Sequence, residues 1–121
     1  MSAPTIIVFY VENLTGSAEF YARLLGRTPV DQSPAFAMFA LAEGVMLGLW
    51  SRASVRPDAG GGMELVRMAE DAAAVDATHA DWQALGVHVL QPPQDMEFGR
   101  NFLAVDPDGN RLRVLAAPAG A

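Results

Sequence analysis

Short blocks of apolar residues, some continuous and some alternating with polar ones, set the expected elements of this chain. Thr5–Val11 (TIIVFYV) is rich in β-branched and aromatic side chains and reads as a buried strand. Asn13 is placed to cap a helix that carries Glu19 inside it and ends before Gly26; Ala18, Tyr21 and Leu25, with Leu24 beside them, form its apolar stripe. Arg27–Val30 predicts a short strand interrupted by Pro29, followed by a loop to Pro34. Strands are then expected over Ala35–Leu41 and Val45–Trp50. Residues 51–62 (SRASVRPDAGGG) have a proline, a glycine run and no apolar period, and read as a linker.

The same order then returns. Met63–Met68 predicts a strand, and Asp71–Leu85 a helix with Val75, Thr78, Trp82 and Leu85 on one side. Gly86 ends that helix as Gly26 ends the first. Val87–Leu90 predicts a strand, and QPPQDMEFGR a loop stiffened by Pro92-Pro93. Phe98–Leu115 reads as a hairpin about the turn Asp106-Pro107-Asp108-Gly109, after which Leu112 and Val114 alternate with Arg111 and Arg113. An imperfect copy of this hairpin lies earlier, where Phe39-Ala40-Leu41-Ala42 meets Glu43-Gly44 and leaves as Val45–Trp50. The chain is therefore expected to be one domain over 1–121, with one repeat at about 4–52, a linker at about 53–61 and a second repeat at about 62–117. A single strand–helix–strand–strand–strand unit leaves one sheet face bare, and pairing two such units encloses a shared hollow.

Parity along the strands assigns faces. With Leu47 and Leu49 toward the helix layer, Met46, Gly48 and Trp50 fall on the hollow side. Ile6, Val8 and Tyr10 are expected there too, as are Met63, Leu65 and Arg67, and Arg111, Arg113 and Leu115. Phe36 and Met38 share one face of the preceding strand. Trp, Phe, Tyr and Met beside a glycine that leaves room suit a flat aromatic guest.

Composition narrows the function classes. The chain has 121 residues, 51% of them hydrophobic, enough for a folded core. Its net charge is −6 with no basic run, which speaks against a nucleic-acid surface. It contains no lysine, which disfavours Schiff-base chemistry, and no cysteine, which removes thiol nucleophiles, disulfides and thiolate metal sites. Ile6–Val11 is too short to span a membrane, and no membrane partner and a cytoplasmic location are expected. The two histidines stand apart: His79 on the second helix reads as solvated or edge-of-core, while His88 alternates with Val87 and Val89 and is placed to face the hollow.

Val11-Glu12-Asn13-Leu14, Glu19-Phe20-Tyr21 and Leu25-Gly26, together with Asp106-Pro107-Asp108-Gly109-Asn110-Arg111-Leu112, resemble the vicinal oxygen chelate superfamily of glyoxalases, extradiol dioxygenases and bleomycin-resistance proteins. The resemblance spans nearly the whole chain. It implies an α+β fold in which two βαβββ repeats form a curved mixed-sheet cup. It also places the family's metal-ligand positions at Ile6, Gly48, Met63 (or, one residue on, Glu64) and Arg113. Isoleucine and glycine carry no donor, methionine only a soft thioether, and arginine a permanent positive charge, so no metal and no other cofactor is expected. Leu47-Gly48-Leu49-Trp50, Asp95–Gly99 and Asp106–Val114 look most similar to the antibiotic-sequestering branch. That implies a homodimer with two pockets and a non-catalytic, hydrophobic site for a planar aromatic antibiotic of phenazine or quinoline/quinoxaline type. The expected contacts are Tyr10, Phe36, Met38, Met46, Gly48, Trp50, Met63, His88, Phe98, Phe102 and Arg113, the last gripping a carboxylate or carbonyl. The alternative is a metal-dependent lyase, isomerase or dioxygenase with a ligand set drawn from His88, Glu64 or Glu97.

Overall fold

The computed structural model describes residues 4–58, 62–105 and 110–118. In chain order the elements are β1 (Thr5–Val11), α1 (Leu14–Leu25), β2 (Asp31–Gln32), β3 (Phe36–Ala42) and β4 (Val45–Ser51). A 3-10 turn over Arg52–Ser54 precedes β5 (Met63–Met68), α2 (Ala72–Ala84), β6 (His88–Met96), β7 (Gly99–Val105) and β8 (Arg111–Ala116). Strand–helix–strand–strand–strand thus occurs twice, and the fold is α+β with two βαβββ repeats. The described chain forms two compact units, one over Ile6–Met63 and one that takes the chain from Glu64 on together with the residues up to Thr5. Within each unit the strand order is the same: β2-β3-β4-β1 in the first and β6-β7-β8-β5 in the second.

Helix ends follow local chemistry. The Asn13 side chain accepts a hydrogen bond from the Gly16 N–H at 3.0 Å, and Asp71 accepts from Ala74 N–H at 2.8 Å. Each thereby satisfies a donor that the first helical turn leaves without an intrahelical partner. Gly26 closes α1 at φ 66°, in the left-handed region that costs other residues free energy. Asn13→Ala is expected to destabilise the protein by about 1 kcal/mol in chemical denaturation, with no change in ligand affinity.

In the first unit α1 covers one face of the sheet. Leu14, Ala18, Ala37, Phe39, Leu47 and Leu49 are buried there, and Phe9, Val11, Tyr21 and Leu25 pack around them. Leu24, expected in the stripe, is 65% exposed, since it lies a turn-fraction off the Ala18–Tyr21–Leu25 line. In the second unit α2 covers Val75, Phe102, Ala104, Val114 and Ala116, with Trp82, Val89 and Leu112 at the margin. Leu85 does not join them; it is the C-cap residue and is exposed. His79 reaches this core edge-on to Phe102, with ring centroids 5.2 Å apart.

Two strand boundaries differ from the expected ones. The second strand is not Arg27–Val30 but the two residues Asp31–Gln32, paired antiparallel with Met38 and Ala37. Pro29 has no N–H to give a ladder, so regular pairing starts only beyond it. Conversely, the expected loop at 91–96 is the continuation of β6. Pro92 and Pro93 are accommodated because β6 is the last strand of its unit, and the register shifts on both sides of Gln91. The Asp106–Gly109 turn and the central glycines of the linker lie outside the described residues. The strands before and after that turn pair antiparallel as expected, with Val105 opposite Arg111.

Candidate functional site

The face of the first unit turned away from α1 carries most of the residues that parity assigned to it. Antiparallel register sets Phe36 opposite Trp50, Met38 opposite Gly48 and Ala40 opposite Met46. Since Ala37, Phe39, Leu47 and Leu49 lie under the helix, these six share the other face. On β1 the buried residues of that face are Ile6, Val8 and Tyr10. The Tyr10 and Trp50 rings meet edge to face, with centroids 6.3 Å apart at 70°. This geometry suits the ring quadrupoles and fixes the indole. Trp50, Phe36, Met38 and Met46 remain half-buried, which leaves apolar and aromatic surface open to a guest.

Gly48 sets the depth of this surface. A Cβ at that position would stand 2.8 Å from the tip of the Phe36 ring and 3.2 Å from Val8 Cγ2. Only a glycine lets Phe36 lie across β4 at van der Waals distance. Gly48→Ala therefore forces the Phe36 ring outward by a few tenths of an ångström or into another rotamer, at about 1–3 kcal/mol of overpacking. We expect a lowered melting temperature together with a loss of affinity for planar aromatic compounds, measured by thermal shift and by titration.

The second unit presents a different interior on its corresponding face. Parallel register pairs Glu64 with Arg111 and Val66 with Arg113, so Glu64 and Val66 point to the same side as Arg113. Met63, Leu65 and Arg67 alternate to the opposite side, and Met63 is 48% exposed. The expectation that Met63 faces the guest is thus corrected by one residue, in favour of Glu64. Glu64 and Arg113 are both nearly inaccessible, at 2% and 1%. Arg113 Nε donates to Glu64 Oε1 at 2.8 Å, Nη2 donates to Glu64 Oε2 at 3.2 Å, and Nη1 donates to Asn101 Oδ1 at 2.7 Å. Asn101 Nδ2 in turn donates to the Gly99 carbonyl at 3.2 Å. Phe98 lies on the guanidinium, 5.7 Å from Cζ to ring centroid. The tight turn that brings it there depends on Gly99 (φ 131°), where a Cβ would run into the Ala116 carbonyl.

These contacts correct two further expectations, for Arg113 and Phe102. Arg113 is engaged inside the protein by a two-point carboxylate contact and does not present a grip to solvent. Phe102 is fully buried on the helix side, opposite Val114, against His79 and Trp82, because its parity on β7 is that of Ala104. His88 does lie off the helix side, opposite Val105, but it is exposed and one residue pair along from the row of Leu103 and Arg113. Asn101 was not among the expected residues. Its position two residues before Leu103 on an alternating strand was a readable signal, had the β7 register been fixed by the core pair Phe102 and Ala104.

The donor set does not suit a metal. Ile6 and Gly48 offer no ligand atoms, Met63 faces the wrong way, and the Glu64 carboxylate is held at both oxygens by a permanent cation. Among the described residues no group of three or more His, Cys, Asp or Glu is placed to hold an ion. Glu97 and His88, the other members of the alternative ligand set, are exposed.

Comparison with known proteins agrees with this architecture. The family described as Glyoxalase/Bleomycin resistance protein/Dioxygenase superfamily matches residues 5–114, and the chain belongs to it. Among curated relatives, the phenazine antibiotic resistance protein EhpR of Enterobacter agglomerans is 29% identical over 120 residues, covering 92% of this chain and 89% of that protein. A structure from Legionella pneumophila described as an NAD-dependent benzaldehyde dehydrogenase superposes with a TM-score of 0.91. It is 41% identical and covers 95% of this chain and all of that one. No Gly-x-Gly-x-x-Gly turn occurs in the present sequence, so no dinucleotide chemistry is carried over from that description. Streptomyces coelicolor methylmalonyl-CoA epimerase has a TM-score of 0.70 at 20% identity, over 98% of this chain and 100% of that one, a likeness of fold alone. No helix among the described residues is long and apolar enough to cross a membrane.

Proposed function

We propose that this protein is a non-catalytic binder that sequesters a planar aromatic antibiotic, of phenazine or quinoline/quinoxaline type, and confers resistance by holding it. The observation that carries the reading is the aromatic face of the first repeat. The Trp50 indole, steadied by Tyr10 and flanked by Phe36 and two methionines, lies beside a glycine that admits close approach. Such a surface recognises shape and polarisability. The likeness to a phenazine resistance protein supports the same ligand class. In this reading the protein acts in the cytoplasm as a homodimer with two pockets. Its partner is the small molecule itself, with no nucleic acid and no cofactor.

Titration with a phenazine and with a quinoxaline, followed by tryptophan fluorescence, tests the proposal. Trp82 is packed against Phe102 and gives a background signal, which Trp82→Phe removes. The expected result is saturable quenching of Trp50 with the compound recovered unchanged by mass spectrometry. Absence of quenching and of any thermal shift across a panel of planar antibiotics rejects it, as does turnover of the bound compound.

A further inference from the structure

We propose that the Arg113 guanidinium is the resident cation of the second repeat, standing in place of a divalent ion, with Glu64 and Asn101 among its ligands. Three strands each send one side chain to the same point: Glu64 from β5, Asn101 from β7 and Arg113 from β8. All three are at least 98% buried, with relative exposures of 2%, 0% and 1%. Oxygens of Asn101 and Glu64 lie on the guanidinium at 2.7, 2.8 and 3.2 Å, and the Phe98 ring covers its face. A carboxylate and an amide oxygen are ordinary ligands of a hard cation; here they solvate a cation that the chain itself supplies.

Two of the positions that the superfamily resemblance marks for metal ligands are therefore engaged with each other. A divalent ion approaching Glu64 meets a like charge that cannot be titrated away, and both carboxylate oxygens are already taken. Burial also shields the pair from added salt, unlike the surface pair between Arg52 and Glu12. The strands of this unit are tied across their inner face with no dependence on metal supply. Arg113 is accordingly a positioning residue, and loss of Glu64 or Arg113 alone takes from the other, buried charge the two-point ionic contact described above.

The full chain tests this directly. Protein stripped with EDTA and then offered Mn²⁺, Zn²⁺ or Mg²⁺ is expected to retain no stoichiometric ion by elemental analysis and to show no rise in melting temperature. An ion bound at one per chain and lost in Glu64→Gln overturns the proposal. Independently, Arg113→Met is expected to lower the melting temperature by about 10 °C or more. Glu64→Met added to it is expected to restore most of that loss, because the pair leaves together. An unfolded Arg113→Met beside a folded double variant reports the same coupling. Strictly additive losses in the two single variants and the double variant overturn it. These readouts are ion content and melting temperature, so they stand apart from whether Trp50 takes an aromatic ligand.

Discussion

Phe102→Ala is expected to cost about 3–5 kcal/mol of stability, measured by urea denaturation, while leaving ligand affinity within a few-fold of wild type. The ring is completely buried on the α2 side of β7, with Trp82 5.4 Å and His79 5.2 Å away between centroids, both near edge-on. Truncation removes apolar area and leaves a void between helix and sheet that close-packed neighbours fill only in part. It also strips the His79 imidazole, whose buried Nε2 has no hydrogen-bond partner among the described residues, of its aromatic neighbour. A variant that folds as stably as wild type but no longer binds aromatic compounds contradicts the placement of Phe102 in the helix-side core.

Trp50→Ala is expected to show the opposite pattern. Stacking on an indole contributes about 0.5–1.5 kcal/mol beyond area burial, and the apolar surface withdrawn from water adds about 1–2 kcal/mol more. The sum corresponds to a rise in Kd of roughly 10- to 300-fold. The indole is half-buried, so the stability loss is smaller than that of Phe102→Ala. Trp50→Phe keeps a flat ring and is expected to recover part of the affinity. Unchanged binding in Trp50→Ala, measured by calorimetry because the fluorophore is gone, removes the aromatic face from the ligand site.

The two experiments bear on opposite outcomes of strand parity as a guide. On β1, on β4 and on β3 up to the register shift at Ala40–Ala42 the alternation holds, Leu47 and Leu49 mark the helix side, and the faces of Tyr10, Phe36, Met38, Met46, Gly48 and Trp50 follow. On β5 the run Met63-Glu64-Leu65-Val66-Arg67-Met68 puts large apolar residues at both parities. There an expected hydrophobic wall competes with a buried carboxylate that no local pattern announces. The register is fixed instead by partner strands: Leu65 pairs with Leu112, which packs at the margin of the α2-side core, and this turns Glu64 toward Arg113. A glutamate buried by an arginine 49 positions away is a tertiary fact, invisible to any window of local sequence. Phe98 and Phe102 part company for a related reason: Phe98 sits at the tight turn over Arg113, whereas Phe102 is inside the strand that follows, at the parity covered by α2. The repeat itself was legible because its punctuation, Asn13 and Asp71 at helix starts and Gly26 and Gly86 at helix ends, is purely local.

Pro92 and Pro93 sit in β6, the outermost strand of its unit. Two consecutive residues without an amide hydrogen deny a passing strand the regular ladder it needs for docking alongside. Growth of this sheet by recruitment of a neighbour's backbone, the route toward fibres, is thus obstructed at that border. Copies of the chain that associate there are left to do so through side chains.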